Sequence, residues 1–255
     1  IKAQPLAQRL DSLLFNDPML RTSEVGITVY DLTTGESLFQ YQDEKLYRPA
    51  STEKVVTSVT ALATLGLDYT MDTRLQYTGK IEGDTLKGNL YLVGGFDPEF
   101  MDEDLDSLVD VIAQSGIRYI ADTLAADVSM MDSVYWGNGW SWDDVPDSFQ
   151  PYMSPLMLNR GCVDVTVIPA EKDSLPIIEC VPASDYYQVD NDGVSNQPQA
   201  GNLRITRNWL HNGNQIHVTG NVSKKTTRTL SIYTSKDFFF HTFINRLKEK
   251  GIEAN

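Results

Sequence analysis

Two side chains could do covalent chemistry together. Ser51-Thr52-Glu53-Lys54 is the one Ser-x-x-Lys in the 255-residue chain. Residues three apart share a helix face, so the Lys54 amine can reach the Ser51 hydroxyl. Pro49-Ala50 places Ser51 at the mouth of a helix. The free N–H groups and partial positive charge there favour a developing anion and disfavour a protonated Lys54. Burial would depress the Lys54 pKa further. A neutral lysine can then take the serine proton, making Ser51 a nucleophile without any histidine. The plain alternative is a serine N-cap followed by a solvent-facing lysine.

Other chemistries find little support. The histidines are His211, His217 and His241, all in the last quarter, and no Gly-x-Ser-x-Gly elbow presents a serine to them. They read as polar surface or packed side chains. Only Cys162 and Cys180 occur, with no Cys-x-x-Cys, so no zinc-type cluster can be built and no metal or cofactor is expected. Two readings stand for them: a disulfide in an oxidising compartment, or two buried thiols. With 21 Lys+Arg against 35 Asp+Glu the net charge is −14. That argues against nucleic acid, whose binding rests on cations neutralising phosphates. No apolar run approaches the roughly 20 residues of a membrane span. The chain starts at Ile1 without Met, as a processed or trimmed chain would.

The elements that must position Ser51 are legible around it. Pro5 to Leu20 carries Leu6, Leu10, Leu13 and Leu14 at helical spacing. Val25 to Tyr30 and Ser37 to Tyr41 read as a hairpin turning at Thr33–Glu36. Ala50 to Leu65 is an apolar-rich helix stopped by Gly66. Two or three strands follow between Thr73 and Val93, a helix over Asp104–Gly116, and a strand-like stretch over Ile117–Asp127. From Cys162 to Val218 the reading is β, broken by an Asn/Asp/Gly-rich loop over Val189–Asn202. Leu230 to Tyr233 is a strand, and Asp237 to Lys250 an amphipathic helix.

At this point a resemblance becomes specific. Val25 to Gly35 followed by Arg48-Pro49-Ala50-Ser51-Thr52-Glu53-Lys54 resembles the opening of the serine penicillin-binding proteins. Leu86 to Pro98, with Gly94-Gly95-Phe96-Asp97-Pro98, resembles the strand and turn of the type-4 (DacB-like) D-alanyl-D-alanine carboxypeptidase/endopeptidases. Gly139 to Asp144, Leu156 to Asn159 and Phe238 to Gly251 resemble later segments of that family, in order. Phe96 replaces the third glycine of the family's Gly-Gly-Gly-Asp-Pro turn. The family's Ser-x-Asn and Lys-Thr-Gly motifs are missing. Lys224-Lys225-Thr226-Thr227 lacks the glycine, comes too early, and reads as a basic turn or strand edge.

The resemblance implies an α+β, multi-domain fold. It would comprise a partial serine β-lactamase/transpeptidase-like catalytic domain (1–71), an inserted accessory α/β domain (72–146 and 232–255) and a nested β-rich domain (147–231). It implies a serine-type D-Ala-D-Ala carboxypeptidase/endopeptidase acting on peptidoglycan stem peptides. Ser51 would be nucleophile and Lys54 proton acceptor. β-Lactams would be covalent inhibitors, and the location the periplasm or cell envelope, reached by a signal peptide absent from this chain. The chain itself reads as a catalytically incomplete fragment. The acidic Asp132–Asp147 region could meet an amine on the substrate's diamino acid, but core tryptophans and a turn solvated by Asp143 and Asp144 are favoured there. The competing readings are a β-lactamase-like or esterase-like Ser-x-x-Lys hydrolase and a non-catalytic cell-wall-binding module.

Overall fold

The structure is a computed structural model and describes residues 5–254. Ile1, read above as a processed start, lies outside them. The chain divides into two compact units at Tyr69/Thr70.

The first unit contains helix α1 (Leu6–Asn16), strands β1 (Ile27–Asp31) and β2 (Glu36–Tyr41), and helix α2 (Glu53–Leu65). The hairpin turns where sequence chemistry demands it. The Asp31 carboxylate accepts the Thr33 and Thr34 N–H groups at 2.8 and 3.3 Å, and Gly35 takes φ +74°. Those N–H groups hold the Asp31 pKa below its ordinary value. Leu14 of α1 and Phe39 of β2 are the only buried hydrophobic side chains of this unit among the described residues.

The second unit begins with β3 (Arg74–Tyr77), β4 (Lys80–Glu82), β5 (Thr85–Lys87), β6 (Leu90–Val93) and helix α3 (Asp102–Gln114). Then come β7 (Tyr119–Ile120), β8 (Leu124–Asp127), β9 (Cys162–Ile168), β10 (Ile177–Val181), β11 (Gln188–Ser195) and β12 (Arg204–Arg207). It ends with β13 (Gln215–Val222), β14 (Thr226–Ser231), helix α4 (Ser235–Glu249) and β15 (Glu253–Ala254). Four sheets result, ordered β3-β6-β8, β15-β7-β5-β4, β10-β9-β14 and β11-β13-β12. One buried cluster runs through them. It joins Leu105 and Val109 of α3, Val163 and Val165 of β9, Val218 of β13, and Phe239 and Phe243 of α4. Arg246 of α4 ties that helix to α3 through Asp102 and Asp106, each at 3.1 Å.

Several expectations need correction. Val189–Asn202 is not a loop throughout, since β11 occupies Gln188–Ser195 and runs parallel to β13 over eight residue pairs. Its polar side chains are used across strands: Asp190 takes Gln215 Nε2 at 2.6 Å and faces His217 Nδ1 at 3.1 Å, while Asn191 donates to the Pro176 carbonyl. Thr73–Val93 holds four short strands rather than two or three. Ile117–Asp127 splits into β7 and β8, which enter different sheets. The cysteines are free thiols. In the β9–β10 register Cys180 faces Val165, three positions from Cys162. That offset is about 10 Å along a strand, beyond the ~7 Å between Cα atoms that a disulfide spans. Burial pushes the Cys162 thiol up to about 12. The tryptophans do not all enter the core: Trp140 is 40% and Trp142 65% exposed.

The Gly94–Pro98 turn shows what Phe96 costs. The Gly94 N–H donates to the Asp127 carbonyl at 2.9 Å and the Phe96 N–H to the Pro155 carbonyl at 3.0 Å. A Cβ on Gly95 would lie 2.1 Å from the Asp72 oxygen. Phe96 sits at φ +60°, where a β-carbon is strained and glycine is not. Replacing the ring by Ala and by Gly separates this strain from packing. Phe96→Gly should be more stable than Phe96→Ala by about 1 kcal/mol in urea unfolding. Equal stabilities would show the backbone there is unstrained.

Candidate functional site

Ser51 lies in a short 3-10 turn, Ala50–Thr52, that runs directly into α2. Pro49 fixes the entry, and Ala50 takes φ +45° to make the corner. The Thr52 N–H donates to the Pro49 carbonyl at 3.1 Å, and the Glu53 N–H serves the Ala50 and Ser51 carbonyls. Ser51 and Lys54 are therefore one turn apart, and Lys54 Nζ donates to Ser51 Oγ at 3.1 Å. Both side chains are exposed. The burial that would favour a neutral Lys54 is not supplied by the described residues.

The hairpin supports the same corner through a contact the motif does not advertise. The Tyr47 ring lies against Gly26, where an added Cβ would be 2.5 Å from a ring carbon. Its hydroxyl reaches the carbonyl oxygens of Gln42 at 2.8 Å and Val25 at 3.0 Å. Tyr47 thus anchors the segment leading to Ser51 onto the start of the hairpin. The available signal was a glycine at a strand edge, which often marks close approach of another group.

Helix α2 follows Ser51, carries Lys54 in its first turn, and has an apolar surface that nothing described covers. Val55, Val56, Val59, Leu62 and Leu65 are 65%, 60%, 60%, 53% and 49% exposed.

Over residues 6–255 the sequence matches the D-Ala-D-Ala carboxypeptidase 3 (S13) family. The chain belongs to that family. A D-alanyl-D-alanine carboxypeptidase of Actinomadura sp. (strain R39) is 27% identical over 97% of this chain and 47% of its own length. The D-alanyl-D-alanine carboxypeptidase DacB of Haemophilus influenzae is 25% identical over 91% of this chain and 49% of its own. In structure, penicillin-binding protein 4 (dacB) from Haemophilus influenzae superposes with a TM-score of 0.71 at 26% identity. The match covers 90% of this chain and 51% of that one. This S13-family chain thus spans about half the length of the curated relatives it matches.

The remaining titratable side chains of this family member are engaged elsewhere or exposed. His217 pairs with Asp190, His241 with Asp185, and His211 ends an exposed 3-10 turn. Asn245 and His241 lower the Asp185 pKa by hydrogen bonding to its carboxylate. Asp143 and Asp144 lie in a 3-10 turn, Trp142–Asp144. Lys224 and Lys225 are exposed just before β14.

The Gly26–Tyr47 contact is open to test. Gly26→Ala forces the ring away and should lower stability by about 1–3 kcal/mol, read as a lower denaturant midpoint. An unchanged midpoint would show that Tyr47 yields without cost and does not anchor the Ser51 segment.

Proposed function

We propose that this chain is the leading half of a serine-type D-Ala-D-Ala carboxypeptidase/endopeptidase of the bacterial cell envelope, acting on peptidoglycan stem peptides. The observation that carries the reading is the Ser51–Lys54 pair, 3.1 Å apart at the start of α2, in a chain of the S13 family. Ser51 Oγ attacks the carbonyl carbon of the penultimate D-Ala, and its proton passes to Lys54 Nζ. The peptide C–N bond breaks, the terminal D-Ala leaves with a proton, and an ester remains on Ser51. Water then adds to that ester and releases the shortened stem. An ammonium donates across the 3.1 Å contact, and a free amine can accept the serine proton across it. The Ser51 N–H is proposed as one half of an oxyanion hole.

The exposed valines and leucines of α2 support incompleteness of the site as it stands. We assign their cover, and the missing Ser-x-Asn and Lys-Thr-Gly motifs, to further residues of the same polypeptide. Closing the cleft in that way would exclude water and favour the neutral amine. The same geometry makes Ser51 the residue that β-lactams acylate. A structure of penicillin-binding protein 4 (dacB) from Haemophilus influenzae has been solved in complex with a β-lactam.

On the product of the complete reading frame, release of D-Ala from an N-acylated D-Ala-D-Ala peptide should fall at least about 10³-fold in Ser51→Ala and in Lys54→Ala, with melting temperatures unchanged. Activity retained in Ser51→Ala would remove the assigned nucleophile. Rapid turnover of a chromogenic cephalosporin without D-Ala release would favour a β-lactamase-like hydrolase instead.

A further inference from the structure

The second unit carries an exposed aromatic surface of its own. The rings of Trp142 and Trp209 are stacked, 5.2 Å apart at 30°, with Trp142 outermost. Trp142 is 65% exposed and Leu210 beside it 66%. A cavity of about 320 Å³ opens on one side, floored by Trp136, Tyr152 and Val145. A second, of about 280 Å³, opens on the other side of Trp209, over the outer face of β12 and β13. Its lining sets Trp209 and Leu210 beside the polar side chains of Arg204, Thr206, Asn208 and Thr219.

The surface is built rather than incidental. Trp209 rides on a turn closed by three backbone bonds: Asn208 N–H to Gln215 O, Gly213 N–H to Asn208 O, and Asn212 N–H to Trp209 O. Arg207, 1% exposed, bolts that turn to the sheet by donating Nε to the Ser231 carbonyl and Nη1 to the Gly213 carbonyl, each at 2.8 Å. Asn212 on the same turn accepts the Tyr152 hydroxyl at 3.2 Å. A buried arginine holding the half-buried Trp209 in place keeps that ring's orientation fixed before any ligand arrives.

Fixed aromatic faces rimmed by amides and hydroxyls suit rings that are apolar on one face and hydrogen-bonding at the edge. Sugars have that character. Tryptophan also serves protein interfaces, but the polar surroundings of Thr206, Asn208, Asn212 and Thr219, with Leu210 the one exposed aliphatic among the lining residues, favour a sugar. We propose that the Trp142–Trp209 surface binds the aminosugar chain that carries the stem peptides. For the identity of that polymer, the proposal rests on the carboxypeptidase reading.

The test uses chitotetraose, the N-acetylglucosamine tetramer, which has no peptide. Calorimetric titration of the chain should show saturable binding. Trp142→Ala should weaken it about tenfold or more at unchanged melting temperature, with partial recovery in Trp142→Phe. Phe149→Ala, an exposed aromatic outside the surface, should leave it unaltered. No saturable binding, or equal binding by Trp142→Ala, would overturn the proposal. So would sedimentation showing that Trp142→Ala dissociates a dimer, since the surface would then join two copies. The two readings fail separately. Sugar binding without D-Ala release would count against the carboxypeptidase, and D-Ala release without sugar binding against this site.

Discussion

A helix gains by having its surface apolar side chains covered, and nothing among the described residues covers α2. Burying the exposed halves of Val55, Val56, Val59, Leu62 and Leu65 would contribute roughly 4–8 kcal/mol, a large share of a domain's usual 5–15. The same helix holds Ser51 and Lys54 one turn apart. Cover for the helix and shelter for the reactive pair are therefore the same requirement. Under the proposed function, residues packed on α2 would also lower the dielectric around Lys54. The first unit buries only Leu14 and Phe39 among its described hydrophobic residues, whereas the second has a continuous core from Leu86 to Ile252.

The site was legible because its determinants are local. The Asp31 turn, the proline-fixed corner at Pro49 and the i,i+3 spacing of Ser51 and Lys54 each act over a few residues. The contact that steadies the corner was not, because Tyr47 meets Gly26 across 21 positions and no pattern in either segment signals the other. The second unit shows the same divide. Helices α3 and α4 declare themselves by apolar periodicity. Strand β11 does not, because Asp190 and Asn191 look like loop residues until β13 and Pro176 supply their partners. Long-range pairing, not local propensity, makes it a strand.

Phe96 and the tryptophans mark where sequence likeness and local physics part. Where the Gly-Gly-Gly-Asp-Pro pattern it resembles has a third glycine, this chain places a phenylalanine, at φ +60°. The tryptophans of the Trp136–Trp142 segment were read as core because large aromatics usually are. Two of them instead face solvent, one stacked on Trp209 above a turn that Arg207 holds from below. Exposed aromatic area with rigid support is a recognition feature more often than a packing one.

The central claim is that Ser51, activated by Lys54, is the acylated residue. Mass spectrometry of the complete gene product after penicillin treatment and tryptic digestion tests it most directly. Cleavage after Lys45 and Lys54 releases the peptide 46–54, which contains Ser51. The account predicts that the penicilloyl adduct resides on that peptide at Ser51. An adduct on any other peptide, or none on a protein that still releases D-Ala, would contradict it.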